Sequence, residues 1–360
     1  MLVAAGGTGG HMAPALAVAE ELAARRAVVS FVTTPSQLPR IAERYPACAI
    51  EMRGFERRLL ARENVVTLGK LAAAAPCAWR AVSRFRPRCV VGGGGYVSGP
   101  VVALAALRGV PAVALEADAH LGVTNRLLRP YVKRIFLSFP IDGLAPPKFV
   151  VTGRPLARHQ VEASRERGLD HFGLIPVLPV VLVFGGSQGA QSINHSCLDA
   201  FANRDLEIQV IHVCGERNYA EATAEVQQRG APVERYKLVA YTDRLADAMA
   251  AADLVVGRSG GSVAEIAALG RPAVLAPYPY ASAGHQRKNA RWMEEAGAAI
   301  VIDDSDLSGP RLSSVVRGLL GDPGRLEAMA AASRRVGRPA STQDVVDGIE
   351  KLLKEEARIT

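Results

Sequence analysis

Four glycine-rich segments, each directly after a short apolar run, carry the residue types best suited to binding a phosphate. They are Gly6–His11, Gly92–Pro100, Gly185–Gly189 and Gly257–Gly261. A glycine-rich turn between a strand and a helix lets backbone N–H groups approach an anion, and the helix N-terminus adds a positive dipole. The first segment is not a P-loop, because no Gly-Lys-Ser/Thr ends it. It is not a dinucleotide fingerprint, because Met12 stands where the third glycine belongs. A tight turn and a flexible connection are the ordinary alternatives for the first two segments.

The third and fourth segments also fit the G-x-S-x-G nucleophile elbow of hydrolases, which is the main competing chemistry. A hydrolase needs one elbow with an acid and a histidine later in the chain, and Glu265 and His285 could nominally serve. That interpretation leaves the two N-terminal segments unexplained. Phosphate binding accounts for all four segments. In the third, Ser187 and the amide groups beside it can hold a diphosphate without a metal ion.

Polar residues beyond the fourth segment are candidate contacts for a nucleotide. Glu265 lies seven residues after Arg258 on a predicted helix, where its carboxylate could accept both hydroxyls of a ribose. Gln286 lies between His285 and Asn289, which share one helix face because they are four residues apart. The alternatives are an acid on a helix surface and a solvated helix start.

No metal-binding pattern accompanies these residues. Asp304-Ser305-Asp306 resembles a D-x-D metal site, but it directly precedes a predicted helix and is typical of an N-cap cluster. Four histidines have no ligand spacing; they are His159, His171, His195 and His212. We therefore expect neither a metal ion nor another cofactor.

The segments that position these residues alternate between apolar runs and helix-compatible stretches. Runs such as Leu2–Ala5, Cys89–Val91, Val180–Phe184 and Leu254–Gly257 are apolar on both faces, which is typical of a parallel sheet covered by helices. The pattern restarts after a polar connection at Arg154–Pro179, so the sequence predicts two α/β domains with doubly wound parallel sheets. Such domains place ligands in the cleft between their strand ends.

Composition limits the class of protein. The chain has 360 residues, of which 49% are hydrophobic and 22% charged, and this suits two globular domains. The net charge of +8 suits a phosphate-bearing substrate or an anionic membrane surface, while scattered arginines without interleaved aromatics argue against nucleic acid. Five scattered cysteines suit a reducing compartment. We expect no signal peptide and, without a run of about 18 apolar residues, only peripheral membrane contact.

Taken in order, the motifs resemble the MurG family, glycosyltransferase family 28, whose members add N-acetylglucosamine to lipid I and make lipid II. The resemblance runs nearly from end to end and rests on Gly6–His11, Gly92–Pro100, Glu116 with Thr124-Asn125, Gly185–Ala190 with Asn194, Arg258–Gly260, Glu265–Ala267, and His285-Gln286 with Asn289-Ala290. It implies the glycosyltransferase-B fold, with two facing Rossmann-like domains and an interdomain cleft. The alternatives are a related UDP-sugar epimerase or glycolipid glycosyltransferase, and a non-catalytic UDP-sugar-binding subunit.

The resemblance implies a role for each domain. Residues 1–154 would bind the acceptor and associate with the membrane, with a C-terminal helix at about residues 342–360 packing back on them. Residues 155–341, including the connecting segment, would bind the UDP-sugar. The expected partners are UDP-N-acetylglucosamine, lipid I, the anionic inner leaflet of the plasma membrane at its cytoplasmic face, and other cell-wall synthesis proteins, but not nucleic acid.

The resemblance also implies the site residues. Ser187 and neighbouring amides would face the diphosphate, and Thr242 lies where the family reads uracil. Glu265 would take the ribose, Gln286 the sugar hydroxyls, and Thr8–Gly10 would border the transferred sugar and the acceptor pyrophosphate. The full set of expected substrate-binding residues is Thr8, Gly9, Gly10, Asn125, Arg154, Arg158, Ser187, Gln188, Gly189, Thr242, Ser259, Gly260, Gly261, Glu265, His285, Gln286 and Asn289. The expected acceptor-diphosphate loops comprise Gly7, Gly93, Gly94, Gly95 and Tyr96.

Inverting transfer needs a base for the acceptor hydroxyl and charge stabilisation for the departing UDP. His11 and Glu116 are the candidate bases. Membrane docking is expected within Val65–Phe85, where Leu71 and Trp79 lie among basic residues. An ordinary buried helix with solvated basic flanks is the alternative there.

Two departures from the family's pattern affect the site. Leu115-Glu116-Ala117-Asp118 stands where many relatives have His-Glu-Gln-Asn, so Asp118 must act differently from the family's asparagine. The family's Asn-Pro-Val-Arg is Arg154-Pro155-Leu156-Ala157 here. Either Arg154 or Arg158 would substitute for the missing arginine.

Overall fold

The structure is a computed structural model that describes residues 1–7, 9–51, 62–186, 190–281 and 284–358, with the backbone alone for residues 9 and 62–73. The chain forms two compact units. Unit 1 comprises Met1–Ala157 with Ala340–Thr360, and unit 2 comprises Arg158–Pro339. The expected boundary lay after Arg154, and the units divide after Ala157.

Unit 1 contains a parallel sheet of seven strands among the described residues, in the order β3-β2-β1-β4-β5-β6-β7. The strands are β1 (Leu2–Ala4), β2 (Ser30–Thr33), β3 (Ala47–Ala49), β4 (Val90–Gly92), β5 (Ala112–Glu116), β6 (Arg134–Leu137) and β7 (Phe149–Val151). The helices are α1 (Gly9–Ala24), α2 (Leu38–Ala42), α3 (Arg62–Phe85), α4 (Gly95–Leu107) and α5 (Val123–Leu128), with α15 (Ser341–Glu356) from the C-terminus.

Unit 2 contains, in its described part, a parallel sheet of six strands in the order β10-β9-β8-β11-β12-β13. The strands are β8 (Val180–Phe184), β9 (Gln209–Val213), β10 (Tyr236–Val239), β11 (Leu254–Gly257), β12 (Ala273–Leu275) and β13 (Ala299–Val301). The helices are α6 (Arg158–Val161), α7 (Arg165–Phe172), α8 (Gln191–Phe201), α9 (Tyr219–Arg229), α10 (Leu245–Ala251), α11 (Ser262–Ala268), α12 (His285–Glu295), α13 (Gly309–Leu320) and α14 (Pro323–Val336).

The central strands are buried on both faces, which explains their continuous apolar sequence. In β1, Leu2 and Val3 are both fully buried but enter different core clusters, because successive side chains point to opposite faces of a sheet. The cluster with Leu2 includes side chains of α3 and α4, and the cluster with Val3 includes side chains of α1 and α15. The two α/β sheet units are those of the glycosyltransferase-B fold, so the expected fold class is confirmed.

The C-terminal helix α15 packs on α1 and completes unit 1. Arg25, directly after α1, forms an ion pair with Asp347 at 2.5 Å, and Val345 and Ile349 are fully buried. Gly348 allows close approach, since a Cβ there would lie 2.6 Å from the ring of Phe136. Across the described residues, no helix is long and apolar enough to cross a membrane.

Candidate functional site

In unit 1, three candidate segments follow strands that are neighbours in the sheet. Gly6–His11 follows β1, Gly93–Tyr96 follows β4, and Glu116 ends β5. The order β1-β4-β5 therefore gathers all three segments at the carboxyl edge of one sheet, where open α/β sheets bind ligands. Thr8 lies outside the described residues, and Gly9 and Gly10 begin α1.

The glycines of the first two segments let these segments pack directly on each other. A Cβ at Gly94 would lie 2.7 Å from Cδ2 of His11, and one at Gly95 would lie 3.0 Å from the carbonyl oxygen of Gly6. Both Gly94 and Gly95 have positive φ angles, of 87° and 70°, which only glycine adopts at little cost. Among the described residues, the backbone of the second segment therefore makes its close approach to the first segment.

Further contacts of the same kind surround the ring of Tyr96. A Cβ at Gly7 would lie 3.4 Å from this ring, and Gly7 has a φ of 98°. At the base of the turn, a Cβ at Gly93 would lie 2.7 Å from that of Ala5. Gly7, Gly93 and Tyr96 thus hold the start of α1 against the start of α4.

Glu116 is buried and accepts hydrogen bonds from its own loop. Its Oε1 accepts from the N–H of Ala117 at 3.0 Å, and its Oε2 accepts from the N–H of Gly122 at 2.8 Å and from Nδ2 of Asn125 at 2.9 Å. Asn125 is itself buried, and its Nδ2 also donates to the carbonyl oxygen of Leu115 at 2.8 Å. Burial raises the pKa of the Glu116 carboxyl to about 7, against the opposing effect of the bonds from Gly122 and Asn125. The carboxyl group therefore fixes the loop after β5.

The two candidate arginines have different surroundings. Arg154 is buried and donates to the carbonyl oxygens of Gly10 at 2.7 Å and Ala117 at 3.5 Å. It therefore joins the start of α1 to the loop after β5. Arg158 begins α6 in unit 2, where its exposed side chain forms an ion pair with Glu162 at 2.6 Å.

In unit 2, Ser187, Gln188 and Gly189 lie outside the described residues. The helix α8 that follows them has Ala190 at its N-cap, which supplies no side-chain hydrogen bond to the first turn. The helix begins beside β8, which is the neighbour of β11 in the sheet. Gly185 and Gly186 after β8, and the fourth glycine-rich segment after β11, therefore follow neighbouring strands at the carboxyl edge.

Arg258, directly after β11, connects the first turn of α8 with the segments after β12 and β13. Its guanidinium donates to Oγ of Ser192 at 2.8 Å and to the carbonyl oxygen of Ala276 at 2.9 Å, and it pairs with the carboxylate of Asp304 at 2.5 Å. It also lies 5.5 Å from the ring centroid of Tyr278. Asp304 is therefore the counter-ion of a buried arginine, and the N-cap of the following helix α13 is Ser308.

A second group of contacts joins the turn after β11 to the start of α12. Ser259 is buried, and its Oγ donates to the carbonyl oxygen of Gln286 at 2.7 Å. Nδ2 of the buried Asn289 donates to the carbonyl oxygen of Ser259 at 3.2 Å. Oε1 of Gln286 accepts from the N–H of Tyr278 at 2.9 Å, and a Cβ at Gly260 would meet its Nε2 at 3.9 Å. The amide group of Gln286 is thus held beside the glycine turn.

The other predicted donor contacts lie on the same edge of the sheet. Gly261 is the N-cap of α11, and Glu265 lies half-buried in the first turn of that helix. His285 is half-buried at the first position of α12. Thr242 follows β10, which is the edge strand, and its Oγ1 accepts from the N–H of Arg244 at 3.0 Å. The structure therefore brings Ser259–Gly261, Gln286 and Asn289 together, and it places Thr242 at the far side of β8.

Metal ligands were not expected. In the part of the chain that the structure describes, no group of three His, Cys, Asp or Glu side chains is placed to hold a metal ion. In the sequence, the connecting arginine Arg258 stands out only as part of a motif. Its partner Asp304 lies 46 residues away, so only the tertiary structure reveals the pair.

Comparison with known proteins covers both units. The N-terminal domain of glycosyltransferase family 28 matches residues 1–137, and the C-terminal domain of that family matches residues 180–351. The UDP-N-acetylglucosamine--N-acetylmuramyl-(pentapeptide) pyrophosphoryl-undecaprenol N-acetylglucosamine transferase of Halothermothrix orenii is 40% identical over 97% of this chain and 98% of its own length. The protein of the same name from Moorella thermoacetica is 39% identical over 98% and 99%.

A solved structure gives the same result. The crystal structure of Acinetobacter baumannii MurG superposes with a TM-score of 0.78 at 28% sequence identity. The match covers 98% of this chain and 99% of that one. Similarity in both sequence and fold therefore extends over both units.

Proposed function

The chain belongs to glycosyltransferase family 28, and we propose that it transfers N-acetylglucosamine from UDP-N-acetylglucosamine to the muramoyl sugar of lipid I, giving lipid II. Relatives that carry this activity in their names match the chain along nearly its whole length. The observation that supports the proposal most directly is that both units carry glycine-rich turns at the carboxyl edges of their sheets. One chain thus has a candidate site for a donor and a candidate site for an acceptor.

The donor would bind to unit 2. The diphosphate would lie against Ser187, Gln188, Gly189 and the start of α8, where backbone amides and the helix dipole stabilise negative charge. Glu265 would accept hydrogen bonds from the ribose hydroxyls. Thr242 would contact uracil, and Gln286 would contact the sugar hydroxyls. The fixed position of the Gln286 amide beside Gly260 supports this assignment.

The acceptor would bind to unit 1, and His11 would act as the base. Both carboxylate oxygens of Glu116 accept hydrogen bonds from N–H groups of its own loop, which supports a positioning role for Glu116. His11 would take the proton of the muramoyl hydroxyl while that oxygen forms a bond to the anomeric carbon. The bond from this carbon to the UDP oxygen breaks on the opposite face, so the configuration inverts. Loss of a positioned general base typically costs about 10²- to 10⁴-fold in rate.

We also propose that unit 1 docks on the anionic cytoplasmic face of the plasma membrane. Trp79 on α3 is half exposed, and the guanidinium of Arg108 lies 4.4 Å from its ring centroid. On the neighbouring helices α4 and α5, exposed apolar side chains include Leu107 and Leu127, with exposures of 74% and 62%. An interfacial tryptophan beside arginines suits an anionic bilayer. The side chain of Leu71 lies outside the described residues.

A single assay tests the catalytic proposal. The purified chain is mixed with UDP-N-acetylglucosamine, with and without a lipid I analogue, and UDP and the disaccharide lipid are measured. We expect UDP release only when the analogue is present, in equal amount to the disaccharide formed. Epimerised UDP-sugar without acceptor would instead identify an epimerase. Binding of UDP without either product would identify a binding subunit.

A further inference from the structure

A chain of buried polar groups lies behind the start of α8. It contains His212 on β9, Tyr236 on β10, and Asn194 and Cys197 on α8, each less than 5% exposed. The two ring nitrogens of His212 lie 2.9 Å from the hydroxyl of Tyr236 and 3.0 Å from Oδ1 of Asn194. The Tyr236 hydroxyl also lies 3.3 Å from Sγ of Cys197. These hydrogen-bonded side chains therefore join one helix to two strands.

The direction of each hydrogen bond follows from the carbonyl group at one end. Nδ2 of Asn194 donates to the carbonyl oxygen of Cys214 at 2.8 Å, so its Oδ1 must face His212. Nε2 of His212 therefore carries the proton, and Nδ1 accepts from the hydroxyl of Tyr236. The Tyr236 oxygen accepts in turn from the thiol of Cys197. Burial lowers the pKa of His212 to about 3, which keeps the imidazole in this neutral form.

The last member of the chain lies close to the proposed phosphate-binding end of α8. Asn194 is in the first turn and a half of α8, and its N–H donates to the carbonyl oxygen of the N-cap residue Ala190 at 2.8 Å. On the other side of this turn, Ser192 is held by Arg258 and Asp304. Side chains thus fix the first turn of α8 from two sides. Its N-cap residue supplies no side-chain bond of its own.

We propose that His212 and Tyr236 are positioning residues for donor binding, which act by holding Asn194 and, through it, the first turn of α8. This inference rests on the proposed binding of the donor diphosphate at that turn. Amide groups stabilise an anion well only when they are already oriented toward it, because reorientation on binding costs free energy. A residue that touches no substrate can therefore determine the affinity for the donor.

The test compares His212→Phe, Tyr236→Phe and Asn194→Ala in the full chain. UDP affinity is measured by titration calorimetry, and the KM values of donor and acceptor are measured separately. We expect His212→Phe to weaken UDP binding about 10-fold, which is the effect of one or two lost buried hydrogen bonds, and Tyr236→Phe about 3-fold. The KM of the acceptor should change less than about 2-fold, since the acceptor would bind to unit 1.

The matched control is Val316→Ala, a cavity substitution on α13 in the same hydrophobic cluster. It should lower the melting temperature without changing UDP affinity. In a double-mutant cycle, His212→Phe should add nothing to the loss of UDP affinity caused by Asn194→Ala, because both changes interrupt the same series of hydrogen bonds. If His212→Phe does not fold, the milder Tyr236→Phe carries the same test.

If the wild-type chain binds UDP, three results would overturn the positioning role of His212 and Tyr236. They are unchanged UDP affinity in the folded variants, an equal loss in Val316→Ala, and additive losses in the double-mutant cycle. A wild-type chain that does not bind UDP at all would overturn the proposed function, and this inference with it.

Discussion

The imidazole of His11 lies against the backbone of Gly94, where a Cβ would approach its Cδ2 atom to 2.7 Å. A glycine in the second segment therefore fixes the position of a side chain in the first. Because the two segments follow the neighbouring strands β1 and β4, the parallel sheet itself sets this contact. The glycines determine where the proposed base can point.

Gly94→Ala is expected to lower kcat about 10- to 100-fold while the donor KM stays near its wild-type value. The added methyl group must displace His11, and a small misplacement of a reacting group is costly. The matched control is Gly109→Ala, which also has a positive φ, of 73°, but has no atom within 4 Å of its Cβ. Equal losses in both variants would show that backbone strain, and not His11, is responsible.

Glu116 predicts a pH dependence of stability. Its pKa is about 7 in the folded chain and 4.5 in the reference state, so the folded state holds more protons between these values. The free energy of unfolding should therefore fall as pH rises from about 4.5 to about 7, by about 3 kcal/mol from this group alone. In Glu116→Gln this part of the dependence should vanish. Urea unfolding of both chains across the pH range measures the difference. A parallel pair of curves would contradict the assignment.

Asp304→Asn should lower the free energy of unfolding by about 2–4 kcal/mol, because it leaves the buried Arg258 without its counter-ion. The control is Asp306→Asn, since Asp306 is exposed and should tolerate the change. Thermal unfolding of the two variants measures this difference in stability. Loss of activity in both variants, together with loss in chelator that magnesium restores, would instead identify the D-x-D segment as a metal site.

Glu265→Ala should raise the donor KM strongly with the fold intact. Each charge-assisted hydrogen bond to a ribose hydroxyl contributes roughly 1.5–3 kcal/mol. Glu294→Ala on α12 is the control, because Glu294 is exposed. Circular dichroism checks folding, and initial rates at varied donor concentration give the KM. A folded Glu265→Ala variant with unchanged donor KM would move the nucleotide site elsewhere.

Trp79→Ser should weaken binding to anionic vesicles about 10-fold at low salt, and wild-type binding should itself weaken as salt is added. Val28→Ser is the control, because Val28 is 79% exposed but lies directly before β2 and is not part of α3. Co-sedimentation with vesicles of phosphatidylglycerol and phosphatidylcholine measures the binding of both variants. Equal loss in the two variants, or binding to uncharged vesicles, would contradict docking through α3.

The sequence predicts the sheets well because their central strands are buried on both faces and read as unbroken apolar runs. It does not predict β3, since Ala47–Ala49 lies half-buried at the sheet edge and consists of small residues. Similarly, Asp304 looks like part of an N-cap cluster until the fold brings Arg258 to it. Local pattern identifies elements, whereas contacts between distant segments depend on how those elements pack.

The position of α15 has a consequence for how the chain folds during its synthesis. Unit 2 is continuous in sequence and can complete its core as soon as residue 339 has left the ribosome. Unit 1 cannot, because Val345, Ile349 and Leu352 of α15 fill part of one face of its sheet and are made after unit 2. The N-terminal half must therefore wait with part of that apolar face covered by α1 alone, and the unit whose synthesis begins first is the one that finishes folding second.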